Sequence, residues 1–286
     1  MRCLPLLLFA SLAYAADAPY TSAGFLKIPS EVKLGAMSAV ELDRQGNIYV
    51  LHRGEPPLLA FDKNGKYKTG FGGGQFKVAH GLRADKDGNI WTTDNGFHIV
   101  RKFSPKGEVM ATLGEQGVPG PDEKHFRAPD DLVFASNGDI YVADSGNGRI
   151  VRLNRNGQFV SQFGKKGKGN GEFSTAHGIA IDAKDRIYVA DRGNNRVQVF
   201  SPNGEFLSTW DGFGNPFGLL VIGKELLVSE GDVNKIFHFD INTGKIVNEW
   251  GEKGQLELPH LMSTDRRGTL YIAEVNGKRV QIFRRK

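Results

Sequence analysis

The sequence predicts an all-β fold, a six-bladed β-propeller, on three observations. A four-strand unit repeats along the chain, the repeats fall at the spacing of propeller blades, and no helical periodicity separates them. The unit is clearest at 177–210, HGIAIDAKDRIYVADRGNNRVQVFSPNGEFLSTW. Runs rich in β-branched and aromatic residues at 178–182, 186–190, 196–201 and 205–210 alternate with turn chemistry at Lys184-Asp185, Gly193-Asn194-Asn195 and Pro202-Asn203-Gly204. That pattern is an antiparallel meander. Ile187 and Val189 point to one face and Tyr188 and Ala190 to the other, so both faces need apolar cover. Copies of the unit supply it. The turn before the second strand recurs at Gly46, Gly88, Gly138, Asp185, Lys224 and Gly268, at gaps of 42, 50, 47, 39 and 44 residues. An open stack of sheets would need polar capping repeats. Neither end looks like one, so a closed ring is expected.

Residues 1–15 stand apart from the repeats. A basic start (Met1-Arg2), an apolar run at 4–12 and Ala13-Tyr14-Ala15 form a signal peptide with its cleavage site, leaving a propeller at 16–286. The apolar run is too short to span a bilayer. Cys3 precedes that run, whereas a lipid-attachment cysteine would follow it. The expected product is exported, periplasmic or secreted, monomeric, without a membrane partner and without disulfides. Its stability then rests on its core, and a chain of this length can bury one. The last repeat supplies strands at 260–265, 269–274 and 279–284 and ends one outer strand short. The strand-like GFLKIP at 24–29 is expected to fill the gap through residues 25–28, closing the ring in its last blade.

Two loops are long and rich in Gly and polar residues: 115–129 (EQGVPGPDEKHFRAP) and 165–176 (KKGKGNGEFSTA). Both lead into inner strands, so they crowd a rim where a ligand site lies. A protein or glycan ligand would dock there, while the lysines at 165–168 also suit a merely solvated loop. The formal charge is +5, from 37 Lys and Arg against 32 Asp and Glu. These positives are scattered, and together with the export signal they exclude nucleic acid as the expected partner.

Aligning the repeats shows what opens each inner strand, eight residues before the turn. The slot holds Ser38, His80, Asp130, His177, Phe217 (seven residues before its turn) and His260. Histidine thus occurs on blades two, four and six, about 120° apart around the axis. Three imidazoles at one height converge on the channel and leave a fourth position for water or substrate. Zinc is the expected metal, although imidazole alone also accepts iron, nickel or copper. A single such histidine would be read as capping its strand, but the shared slot on alternate blades argues for a metal. His52, His98, His125 and His238 do not share it.

A second pattern follows the second strand, which usually ends in an acid, with His52 replacing it in the first repeat. The next position holds Arg53, Asn95, Ser145, Arg192, Gly231 and Val275. In an antiparallel pair the start of the inner strand lies beside the end of the second. Arg53 and Arg192, on opposite blades, therefore share the histidine mouth. Two guanidinium groups there suit an anionic ligand, a small or peptidyl carboxylate. The competing reading of Arg192 is a salt bridge to Asp191.

These residues resemble a known family. The repeats YVADSGNGRIVRLNRNGQFVSQFG and YVADRGNNRVQVFSPNGEF look like NHL repeats, and the mature chain is similar to the peptidyl-α-hydroxyglycine α-amidating lyase domain of peptidylglycine α-amidating monooxygenase. The matching stretches are VLHRG at 50–54, AHGLRADKDGNIWTTDNGFH at 79–98, PGPDEKHF at 119–126, AHGIAID at 176–182, ADRGNNRVQ at 190–198 and LPH at 258–260. The resemblance implies that His80, His177 and His260 hold a catalytic zinc and that Arg53 and Arg192 bind substrate. It implies cleavage of a peptidyl-α-hydroxyglycine to an amide and glyoxylate. The family's active-site tyrosine falls in the turn at 144–149, which here reads DSGNGR. The aspartate for its structural calcium falls at Leu261, so calcium is not expected at that site. Asp130, in the third-blade slot, and Asp131 are candidates for a replacement base. The rival expectation is a non-catalytic NHL propeller.

Overall fold

The computed structural model describes residues 18–286, so the expected signal peptide lies outside the described residues. Six four-stranded antiparallel sheets form the blades. Their inner strands are Met37–Leu42, Ala79–Ala84, Pro129–Phe134, Ala176–Ile181, Pro216–Ile222 and Pro259–Thr264. Each packs against the next, and the last packs against the first, so the ring is closed.

The alternation read in the fourth repeat decides how the blades stack. In the strand Ile187–Asp191 every residue is buried. Ile187 and Val189 join an apolar cluster with Tyr141 and Ala143 of blade three, and Tyr188 and Ala190 one with Leu226 and Phe239 of blade five. The same happens at every junction, giving one apolar cluster between each pair of blades.

Closure is by an N-terminal strand, but an earlier one than 25–28. Tyr20–Phe25 pairs antiparallel with Arg279–Arg285, from Tyr20 opposite Arg285 to Phe25 opposite Gln281. The physical reason is what each residue can bury. Tyr20 is 4% exposed and packs on Trp250, ring centroids 5.7 Å apart. The register breaks between Ser22 and Phe25, where Gly24 takes a positive φ of 94°. Beyond it Leu26 and Ile28 turn onto the junction of blades six and one, against Val40 and Phe61.

The loop at 165–176 is more ordered than expected. Lys165–Lys166 and Glu172–Phe173 form a short parallel pair, and Phe173 is fully buried. Lys166 Nζ donates to the carbonyls of Ser145 and Ser174, and Lys165 pairs with Glu172 at 3.2 Å. These two lysines brace the loop. No helix among the described residues is long and apolar enough to cross a membrane.

Candidate functional site

Every inner strand carries a register break at the slot. The ladder skips between Met37 and Ala39, Ala79 and Leu82, Pro129 and Asp131, Ala176 and Ile179, Pro216 and Leu219, and Pro259 and Met262. An extra residue at a bulge bends the strand and re-aims a side chain. Here it delivers six slot residues to the axis.

His80, His177 and His260 meet there. Their ring centroids lie 4.8 to 4.9 Å apart, and one ligand atom from each falls within 4.8 Å of the others. All three are buried, at 1–4% exposure. Each Nδ1 faces the slot carbonyl of the next blade: His80 to Asp130 O at 2.8 Å, His177 to Phe217 O at 2.8 Å, His260 to Ser38 O at 2.5 Å. A carbonyl only accepts, so Nδ1 carries the proton and Nε2 keeps a lone pair. His177 Nε2 is buried with no hydrogen-bond partner among the described residues. Burial pushes the His80 imidazole down to about 4 and holds His177 and His260 well below the usual range. Three neutral rings with convergent lone pairs could hold one divalent cation, and the carbonyls behind them fix their orientation.

Glycine makes room for those carbonyls. A Cβ on Gly81 would collide with Asp130 O, and one on Gly178 with Phe217 O. These are the acceptors for the histidines one residue earlier.

The arginines stand at the same mouth. The strand starts pair with the second-strand ends as expected: Met37 opposite His52 and Ala176 opposite Asp191. The charges of Arg53 and Arg192 both act on His80, His260 and Asp130. Arg192 does not pair with Asp191, whose carboxylate is taken by Arg196 Nε at 2.8 Å and Asn194 Nδ2 at 2.7 Å. Its guanidinium lies 4.3 Å over the Phe217 ring, which also abuts His177. Arg53 Nε donates only a long bond, 3.3 Å to Ala79 O. Among the described residues neither forms a salt bridge with a carboxylate.

The acids ending the second strands are structural. Asp94, Asp144, Asp191, Glu230 and Glu274 accept backbone N–H groups from the loop leading into their own blade's inner strand. His52 does the same through Nδ1 for Gly35, and accepts also from Gly54 just beyond its own strand. Of the other histidines outside the slot, His98 accepts from Ala128 N, His125 meets Asp122 and His238 sits between Glu225 and Trp250.

The two candidate aspartates part company. Asp131 donates nothing to the mouth: it pairs with Arg83 at 2.6 Å and accepts from Leu132 N and Ile179 N. Asp130 faces the histidines, with Oδ1 3.6 Å from His80 Nε2, and burial pushes its carboxyl up to about 7. Asn95 Nδ2 holds that oxygen at 2.6 Å. Asn95 was visible in the sequence only as the position equivalent to Arg53. Farther along the channel, Arg83, Glu41 and Ser263 form a polar belt that sequence reasoning missed: the three share one repeat position, three residues after the slot, but no residue type recurs there to mark it. It floors a cavity of ≈ 860 Å³ at the opposite mouth. Those charges are already paired with one another, whereas the histidine lone pairs are not.

Fold and mouth together define a six-bladed propeller with a tri-histidine centre. A family model described as a 6-bladed beta-propeller matches residues 121–212. NHL repeat-containing protein 3 of Homo sapiens is 30% identical over 290 residues, 91% of this chain and 82% of that protein. The chain therefore belongs to the NHL-repeat family of six-bladed propellers. It is also similar to the probable peptidyl-alpha-hydroxyglycine alpha-amidating lyase of Caenorhabditis elegans, 29% identical over 52% of this chain and 50% of that protein. The chain spans only part of the amidating proteins it matches, from 18% of the mouse monooxygenase through half of the nematode lyase to 69% of amidating lyase 2 of Drosophila melanogaster. A streptogramin B lyase structure aligns with a TM-score of 0.69 over 93% of this chain and 98% of that one, at 15% identity, a likeness of fold alone.

Proposed function

We propose that the protein is an exported, zinc-dependent lyase that splits a peptidyl-α-hydroxyglycine-like substrate into an amide and glyoxylate. The observation that carries this reading is the set of three neutral, convergent imidazoles beneath two arginines that, among the described residues, pair with no carboxylate. A divalent cation such as zinc, when bound by His80, His177 and His260, supplies Lewis acidity toward the substrate hydroxyl. Arg53 and Arg192 take the terminal carboxylate and so align the C–N bond that breaks. The hydroxyl loses its proton, its oxygen forms the C=O of glyoxylate, and the departing nitrogen keeps the C–N electrons and gains a proton. Phe217 backs the Arg192 guanidinium and limits its swing. The buried histidine layer keeps bulk water from the reacting carbon.

The test is glyoxylate release from an α-hydroxyglycine peptide by the wild type and by His177→Ala, alongside metal analysis. Expected are about one equivalent of transition metal in the wild type and lost turnover in the variant. Equal rates in both would remove the lyase. A specific observation favours a second reading, a propeller that binds protein or glycan at its rim: the turn at 144–149 has no tyrosine. A metal content below about half an equivalent, without turnover, would favour that module.

A further inference from the structure

We propose that Asp130 is a fourth donor to the cation held by the three histidines, positioned by Asn95. This rests on the metal-binding reading of the tri-histidine cluster. Its first support is a pair of lone pairs that face one another. Because His80 Nδ1 spends its proton on Asp130 O, His80 Nε2 is an acceptor, and Asp130 Oδ1 lies 3.6 Å from it. Two acceptors held that close repel unless a cation or a proton lies between them. Two donors on one tetrahedral zinc, with bonds of 2.0–2.2 Å, are about 3.4 Å apart. The observed gap is close to that span.

The second support is charge. A divalent cation bound only by neutral imidazoles, with Arg53 and Arg192 above, would face like charge without compensation. Asp131 is committed to Arg83, and the oxygens of Asp94 accept from the backbone N–H groups of Lys77, Val78, Gly96 and Phe97. Asp130 is a carboxylate at this layer with no arginine on it: its side-chain partners are the Asn95 amide and the Ser145 side chain. Its own backbone carbonyl accepts from both His80 Nδ1 and Thr93 Oγ1, so the slot is pinned from two sides. The Asn95 amide then fixes the carboxylate from the rim, as the hydrogen-bond partners of metal ligands do.

The experiment titrates metal-free protein with zinc against a competing chelator, and with cobalt(II) followed by visible absorption. Asp130→Asn keeps the volume and removes the charge. It is expected to weaken zinc binding by about 10–100-fold and to move the cobalt bands, with the Tm of the metal-free protein unchanged. Asp130→Glu, which keeps the carboxylate, is expected to retain more affinity than Asp130→Asn. Asn95→Ala weakens binding less than Asp130→Asn. Equal affinities and superimposable cobalt spectra for the wild type and Asp130→Asn would overturn the proposal while leaving the tri-histidine site standing. So would equal affinities for the Glu and Asn variants. A wild type that takes up neither metal overturns both readings.

Discussion

Gly178 illustrates how little space the histidine layer leaves. The Phe217 carbonyl that accepts from His177 Nδ1 lies where an alanine Cβ would go. Gly178→Ala must push that carbonyl aside and release the imidazole it orients. The expected cost is about 1–3 kcal/mol in stability together with weaker metal uptake, read by denaturant unfolding and by zinc titration. Arg192 makes the opposite point. A neighbouring acid in the sequence suggested a salt bridge, yet Arg196, five residues on from Asp191, takes that acid. The slot histidines and both arginines were legible as residues because the repeats align them. Which nitrogen each imidazole leaves free was not, since the acceptor carbonyl belongs to another blade.

At the scale of elements, the closing strand carries a prediction. Without residues 18–25 the strand Arg279–Arg285 becomes an open edge, an invitation to pair with another chain. Deleting them is expected to lower the Tm and promote self-association, seen by thermal unfolding and light scattering. Tyr20→Ala alone should cost roughly 3 kcal/mol, because it empties the contact with Trp250. An unchanged Tm in both proteins would mean that closure contributes nothing to stability. The expected strand at 25–28 missed its target by several residues for a tertiary reason: β propensity is higher at 25–28 than in YTSAGF, but Tyr20 packs on Trp250 at the outer edge of the preceding blade, while Leu26 and Ile28 are drawn into the junction of blades six and one.

The whole ring shares one polar channel, and its titration follows from that. Burial raises Glu41 from its ordinary 4.5 to about 7, with Arg83 opposing. A carboxyl whose folded pKa lies above its unfolded one favours folding at low pH, and that contribution is lost as pH rises through about 7. Asp131, raised to about 6, acts in the same direction. Glu41→Gln stays neutral throughout. Relative to wild type it is expected to gain on the order of 1–3 kcal/mol between about pH 5 and about pH 8, measured by thermal unfolding at both. No relative gain would mean that Glu41 ionises in the folded ring without penalty.

By itself, the sequence determined the blade count, the strand alternation and the slot in which histidine recurs, because each is a periodicity and period survives without coordinates. Only the tertiary structure decided the partners: which carbonyl meets each imidazole, which acid each arginine holds, that Asp130 turns to the axis and Asp131 away from it. The imidazole contacts join blades across 40 to 222 positions of chain, set by bulges and close backbone approaches that leave no local signature, whereas Arg196 takes an acid only five positions away.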